Sequence, residues 1–181
     1  MTNNYLLKIS KFFLYLAPFS LAIVYQGTLF PFIVGKYVFF RTVVELALVF
    51  FVWAWATNRF QIPDLRFKIT RPLVIAVALF TTIFILAGFF GVNSSASFWS
   101  NFERGEGVLQ IIHMFIFFIL LALLFTDEKS WRRMFTVMIW VGVLTIAYGL
   151  AAAMNIGNFV GSNLCFRFAG SLGNPAYAGT F

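Results

Sequence analysis

The chain has 181 residues, of which 61% are hydrophobic, 20% aromatic and only 10% charged, with a mean hydropathy of +0.90. A water-soluble domain carries about a quarter charged residues, so this balance excludes one and identifies an integral membrane protein. The net charge of +7 is scattered between apolar segments instead of forming one basic patch, which argues against nucleic acid as a partner.

A membrane-crossing helix needs about 20 apolar residues. On that measure the chain predicts an all-α polytopic transmembrane helix bundle of five spans plus the start of a sixth, one transmembrane domain over 1–181. Residues 1–11 form a short polar start with Lys8 and Lys11, and residues 12–26 a first span with Pro18 near its middle. A cleaved signal peptide is the alternative for this start, but no small-x-small site precedes the next apolar run, so a retained, kinked span is expected. Residues 27–36 are apolar yet broken by Gly27, Pro31 and Gly35, a turn pattern.

The second span is predicted at 37–57 and contains Arg41 and Glu45, four residues apart and so on one helix face, where they can pair. A polar connection at 58–71 carries Arg59, Arg66, Lys68 and Arg71 against Asp64. A third span follows at 72–91, with Pro72 suited to a first turn. Residues 92–97 read as a loop. Ser100 stands three before Glu103, the capping-box spacing, which predicts a helix from about Asn101 to Phe125. A polar link at 126–133 leads to a fifth span at 134–154, a Gly/Asn-rich loop at 155–174 and the first turn of a further helix at Pro175.

Counting Lys and Arg, the 58–71 and 126–133 links carry four and three, whereas 92–107 and 155–174 carry one each. By the positive-inside rule the first two links and the N-terminus are cytoplasmic. That topology gathers Lys36, Arg41, Glu103, Arg104, Glu106 and Arg167 at the outer side.

Charge in or beside hydrocarbon is costly and marks functional candidates. The segment 98–113, FWSNFERGEGVLQIIH, concentrates Glu103, Arg104 and Glu106 at the mouth of a hydrophobic run and places His113, the only histidine, inside it. On a helix Glu106, Gln110 and His113 would form one stripe. The segment 167–179, RFAGSLGNPAYAG, offers Arg167, glycines that let backbone amides approach an anion, and an Asn174-Pro175 turn opening a helix whose N-terminus adds positive potential. Structural alternatives stand beside each: a hydrogen bond from His113 to a neighbouring helix, a solvated helix start at Glu103 and Arg104, an intramembrane Arg41–Glu45 pair, and an Arg167 that anchors lipid phosphate. The lone Cys165 excludes an internal disulfide and fits no metal-ligand spacing. No metal or cofactor is expected.

Three blocks, FPFIVGKYVFFRTVVE at 30–45, FWSNFERGEGVLQIIH at 98–113 and RFAGSLGNPAYAG at 167–179, resemble the N-terminal half of the O-antigen ligase and polymerase superfamily of bacterial envelope glycosyltransferases. The resemblance implies a multi-pass inner-membrane enzyme that moves a glycan from undecaprenyl diphosphate to a lipid A core, glycan or protein acceptor on the periplasmic face. It further implies that Arg167 contacts the carrier diphosphate and that Lys36, Arg41, Glu103 and Arg104 belong to the outer, motif-bearing face. Arg104 would share the phosphate contacts, with Glu106, His113 and Asn174 as further substrate-side candidates. Family members continue with more spans and a large outer loop bearing a further arginine and a histidine base. The resemblance therefore implies a chain that continues past Phe181, with the general base there. A secondary transporter and a non-catalytic membrane scaffold are the alternatives, since either would use the same apolar helices and intramembrane ionisable residues.

Overall fold

Proline and glycine punctuate the apolar runs, and several helices begin or end at them. The structure is a computed structural model that describes residues 5–57, 71–101, 105–154, 156, 159 and 168–180. The described residues are helical or in turns, with no strand among them.

Helix α1 (Tyr5–Leu16) passes directly into a 3-10 segment (Ala17–Ala22). Pro18 explains the change, because proline has no N–H to continue the α-helical ladder and its ring crowds the carbonyl four residues back. The first crossing segment is thus Tyr5–Ala22, not 12–26, and it includes Lys8 and Lys11. Turns occupy 26–33, and helix α2 (Val34–Ala56) follows. Helix α3 (Pro72–Phe90) has Pro72 in its first turn and runs to Gly91, close to expectation.

The next segment departs from the sequence reading. A short helix α4 (Ser94–Trp99) occupies the supposed loop, with the Asn93 side chain accepting from the Ala96 amide at 3.0 Å. Ser100 is the C-cap of that helix, with φ 59° and its amide donating to the Ala96 carbonyl. Helix α5 is Val108–Leu124, seven residues later than the capping-box spacing predicts. Two glycines account for the delay. Gly105 holds φ +61°, a conformation that L side chains rarely adopt, and at Gly107 a Cβ would collide with the Phe98 carbonyl oxygen. Glu106 therefore lies ahead of the helix and is exposed, so the predicted stripe shrinks to Gln110 and His113.

Helix α6 (Glu128–Ala153) starts six residues before the predicted fifth span. The cause is Asp127, whose carboxylate accepts from the Ser130 amide at 2.9 Å and the Ser130 hydroxyl at 2.7 Å. The Ser130 hydroxyl bond is the main reason the Asp127 carboxyl is held below its usual range. A second 3-10 turn (Gly170–Leu172) precedes helix α7 (Pro175–Thr180), which begins at the predicted proline.

Among the described residues four segments are long and apolar enough to cross a membrane: Tyr5–Ala22, Val34–Ala56, Pro72–Phe90 and Glu128–Ala153. Helix α5 is apolar but has 17 residues, about 25 Å at 1.5 Å per residue against about 30 Å of hydrocarbon. The described residues thus give four full-length candidates and one shorter helix, against the expected five spans and the start of a sixth.

Helices α1 and α2 pack together, α5 lies against both α2 and α3, and α6 packs on the two 3-10 segments. Leu14, Ala47, Leu120, Leu124, Phe125 and Met134 form the core where α1, α2, α5 and α6 meet. Small residues set the closest approaches, as expected where lipid tails compete for every apolar surface. The buried Ser10 hydroxyl donates to the Ala47 carbonyl at 2.8 Å across the α1–α2 contact. Gly88 of α3 meets Val108 and Phe98 so closely that a Cβ there would sit 2.6 Å from the valine. Leu73, Leu79, Ile83, Phe135 and Ile139 are more than half exposed along α3 and α6, apolar faces suited to lipid and foreign to a soluble monomer.

Candidate functional site

Two ends of the bundle differ in chemistry. At one, Lys11 of α1 lies 3.8 Å from Asp127 and 3.4 Å from the Ser130 hydroxyl, while Tyr15 donates to the Ser130 carbonyl at 3.3 Å. These contacts fasten the start of α6 to α1. The other end gathers Lys36, Arg41 and Glu106 from among the polar groups that the sequence singles out.

Lys36 stands in the first turn of α2, and its ammonium donates to three carbonyls: Leu21 at 2.8 Å, Ile23 at 2.7 Å and Ser171 at 2.8 Å. An ammonium has three N–H donors and no acceptor, so all three are used. Leu21 and Ile23 lie at the end of the first 3-10 segment, where carbonyls lack helical partners and the local dipole is negative. The Ser171 hydroxyl also donates to the Leu21 carbonyl at 2.7 Å and lies 3.2 Å from the Thr145 hydroxyl oxygen of α6. Lys36 and Ser171 together cap the first span from two distant parts of the chain.

One turn further along α2, Arg41 reaches across to α5. Its Nε donates to Gln110 Oε1 at 3.0 Å, a terminal nitrogen donates to the Gly105 carbonyl at 2.6 Å, and the guanidinium lies 4.8 Å from the Tyr37 ring centroid. The planar fork serves two acceptors in fixed directions while its face rests on an aromatic ring, which lysine could not reproduce.

Glu45 and His113 form the next rung, with Glu45 Oε1 and His113 Nε2 2.8 Å apart. His113 Nδ1 lies 2.6 Å from the Leu109 carbonyl of its own helix. Arg41 and Glu45 share a face as their spacing predicts, but their hydrogen bonds go to α5 and to Gly105 just before it, not to each other. Gln110 and His113 supply the matching face, three residues apart, so α2 and α5 run parallel here.

Among the remaining candidates, Glu106 is exposed just before α5, and the Asn174 side chain accepts from the Ala176 amide at 2.9 Å at the start of α7. Glu103, Arg104 and Arg167 lie outside the described residues. Their chain neighbours Gly105, Phe168 and Ala169 are described; Gly105 is held by Arg41, and the turn after Ala169 by Lys36. Sequence reasoning did not assign Tyr37, Gln110 or Ser171 to the site. Tyr37 stood one turn before Arg41 and gave a usable signal, whereas Ser171, 135 residues from Lys36, gave none. Among the described residues no group of three or more His, Cys, Asp or Glu side chains is arranged to hold a metal ion.

The site is thus a polar ladder between two parallel helices, topped by a lysine that binds backbone. It can fix the relative positions of three loops, and it presents Glu106 outward at their junction. No family model, curated protein or solved structure matches the chain.

Proposed function

We propose that the chain is an O-antigen ligase-like glycosyltransferase of the bacterial inner membrane, with its N-terminus cytoplasmic and its active face periplasmic. The observation that carries the reading is that two residues of the 30–45 block tie it to both of the others. Lys36 binds Ser171 in the 167–179 block, and Arg41 binds Gly105 and Gln110 in the 98–113 block. Blocks far apart in sequence therefore meet at one end of the bundle, as parts of one site should.

In this reading Lys36 and Arg41 frame the site, because all three donors of Lys36 and two of those of Arg41 are committed to protein acceptors. Arg104 and Arg167 contact the diphosphate of an undecaprenyl-diphosphate-linked glycan, and Glu103 orients Arg104 or hydrogen-bonds the sugar. The oxygen of an acceptor hydroxyl, on a lipid A core, a glycan or a protein, attacks the anomeric carbon. The bond from that carbon to the diphosphate oxygen breaks, undecaprenyl diphosphate leaves with the electron pair, and a base takes the hydroxyl proton. Arginines at the diphosphate stabilise the charge that develops on the leaving oxygen; one well-placed donor contributes about 100-fold or more in rate. His113 is not placed as that base, since both ring nitrogens are engaged within the bundle.

The test is transfer by the purified membrane protein, as it occurs in cells, reconstituted with a polyprenyl-diphosphate-linked glycan and acceptor. Arg167→Ala is expected to lower transfer about 100-fold; unchanged transfer removes Arg167 from the mechanism. Labelling from outside the cell that found positions 103 and 167 on opposite sides would end the reading. A second reading, a secondary transporter, draws on the Glu45–His113 pair within α2 and α5, since such pairs line ion pathways. Solute flux without glycan transfer would select it.

A further inference from the structure

Glu45 is the twelfth of the 23 residues of α2 and so lies at the middle of a crossing helix. Its partner His113 is largely shielded, with 12% of the side chain exposed, whereas Glu45 is 62% exposed. Counting protons at this contact gives a definite result. The Leu109 carbonyl can only accept a hydrogen bond, so at 2.6 Å the Nδ1 facing it must carry hydrogen. A neutral imidazole then has a bare lone pair on Nε2. That lone pair faces Glu45 Oε1 at 2.8 Å, and an ionised carboxylate is also acceptor-only. Two lone pairs at that distance repel. Choosing the other tautomer moves the conflict to Leu109 and does not remove it.

From this geometry we infer that Glu45 and His113 form a proton-binding site within the membrane-spanning bundle, holding one proton between Oε1 and Nε2. The occupied pair carries no net charge, whether drawn as imidazolium with carboxylate or as imidazole with carboxylic acid. Losing the proton leaves a net negative charge and breaks one of two hydrogen bonds, either the α2–α5 rung or the imidazole's bond to its own helix. The charged group facing the pair from α2 is Arg41, one turn away and itself bound to Gln110 and Gly105. Helix α5 contributes no other titratable side chain, and α3 and α4, which pack on it, contain none. Glu106 lies before α5, and on α1 the titratable groups are Tyr5, Lys8, Lys11 and Tyr15. Occupancy of the site sets whether α2 and α5 are joined by two rungs or one, directly below the Arg41 clamp. The inference holds whether the protein is a transferase or a transporter.

His113 is the only histidine, so histidine labelled with nitrogen-15 reports this ring alone. The experiment is a pH titration of the labelled protein in lipid nanodiscs, following the imidazole signals and the carboxyl infrared band together. The expected result is one shared transition in both signals, with Nδ1 protonated on its acidic side. In Glu45→Gln the amide donates to Nε2 with no extra proton needed, so the shared transition should vanish and the imidazole midpoint should differ from that of wild type. An imidazole midpoint that is the same in wild type and Glu45→Gln would overturn the inference, as would separate transitions for the two signals in wild type. If the variant fails to insert, the wild-type titration decides by itself.

Discussion

Arg41 and Gln110 join two parallel helices side chain to side chain, Nε to Oε1 at 3.0 Å, and the same guanidinium stitches the Gly105 carbonyl to the junction. Sequestered from water, a bond of this kind is worth less than its vacuum strength suggests, because the unfolded chain in a membrane also finds partners; measured couplings average about 0.6 kcal/mol and reach about 1.7. A double-mutant cycle with Arg41→Ala and Gln110→Ala, read by unfolding in mixed micelles, is expected to return a coupling energy in that range. Strict additivity would show that the two side chains do not meet.

Gly105 serves as acceptor for Arg41 while holding a positive φ under the Tyr37 ring. Gly105→Ala places a Cβ 2.6 Å from Tyr37 Cδ1 in a backbone conformation that alanine resists. The expected loss of stability is about 1–3 kcal/mol. Gly179→Ala is the control, since nothing lies within 4 Å of the added Cβ, and thermal unfolding of the two proteins in one detergent compares them.

Lys36→Met removes the donor from the carbonyls of Ile23 and Ser171, while Leu21 keeps the Ser171 hydroxyl. Each buried acceptor left unpaired costs about 1–3 kcal/mol. Lys36→Arg should rescue little, because a planar guanidinium cannot direct donors to three converging oxygens as an ammonium does. Melting temperature and protease resistance of the 23–36 turn are the readouts.

Asp127 gives a pH dependence of known sign. Its carboxyl is lowered in the folded protein, first by the Ser130 hydroxyl. A lowered carboxyl contributes stability that is present above the unfolded value, about 3.9, and is lost as pH falls through the folded value. The melting temperature should therefore fall on acidification below about pH 4, and that fall should be smaller in Asp127→Asn. Equal acid sensitivity of the two proteins would assign it to other carboxyls.

The class of the fold was legible in the composition, because hydrocarbon imposes one requirement on every span. Helices α2 and α3 stood out for the same reason, as uninterrupted apolar runs with Pro72 marking one start. The start of α5 did not, since the capping-box spacing at Ser100 and Glu103 is a local signal. It was overruled by two glycines whose role depends on Phe98 and Tyr37 packing against them. Spacing likewise fixed that Arg41 and Glu45 share a face, but not which helix that face meets. Gln110 and His113 became partners only through the rotation of α5 against α2, a property of the assembled bundle. Lys36 is legible as a cation just ahead of the second apolar run, while its three oxygen partners come from turns whose placement no local pattern encodes.

The proline that ends regular α-helix in the first span also determines when that span can be completed. Its final carbonyls are served by Lys36, about a dozen residues on, and by the Ser171 hydroxyl, 150 residues on. During synthesis the first segment enters the bilayer with its last turn only partly sealed, and the seal closes only once Ser171 has been delivered. Translocation intermediates shorter than 171 residues should therefore hold their leading segment loosely, and the 3-10 turn beside α6 acts as the last stitch of assembly.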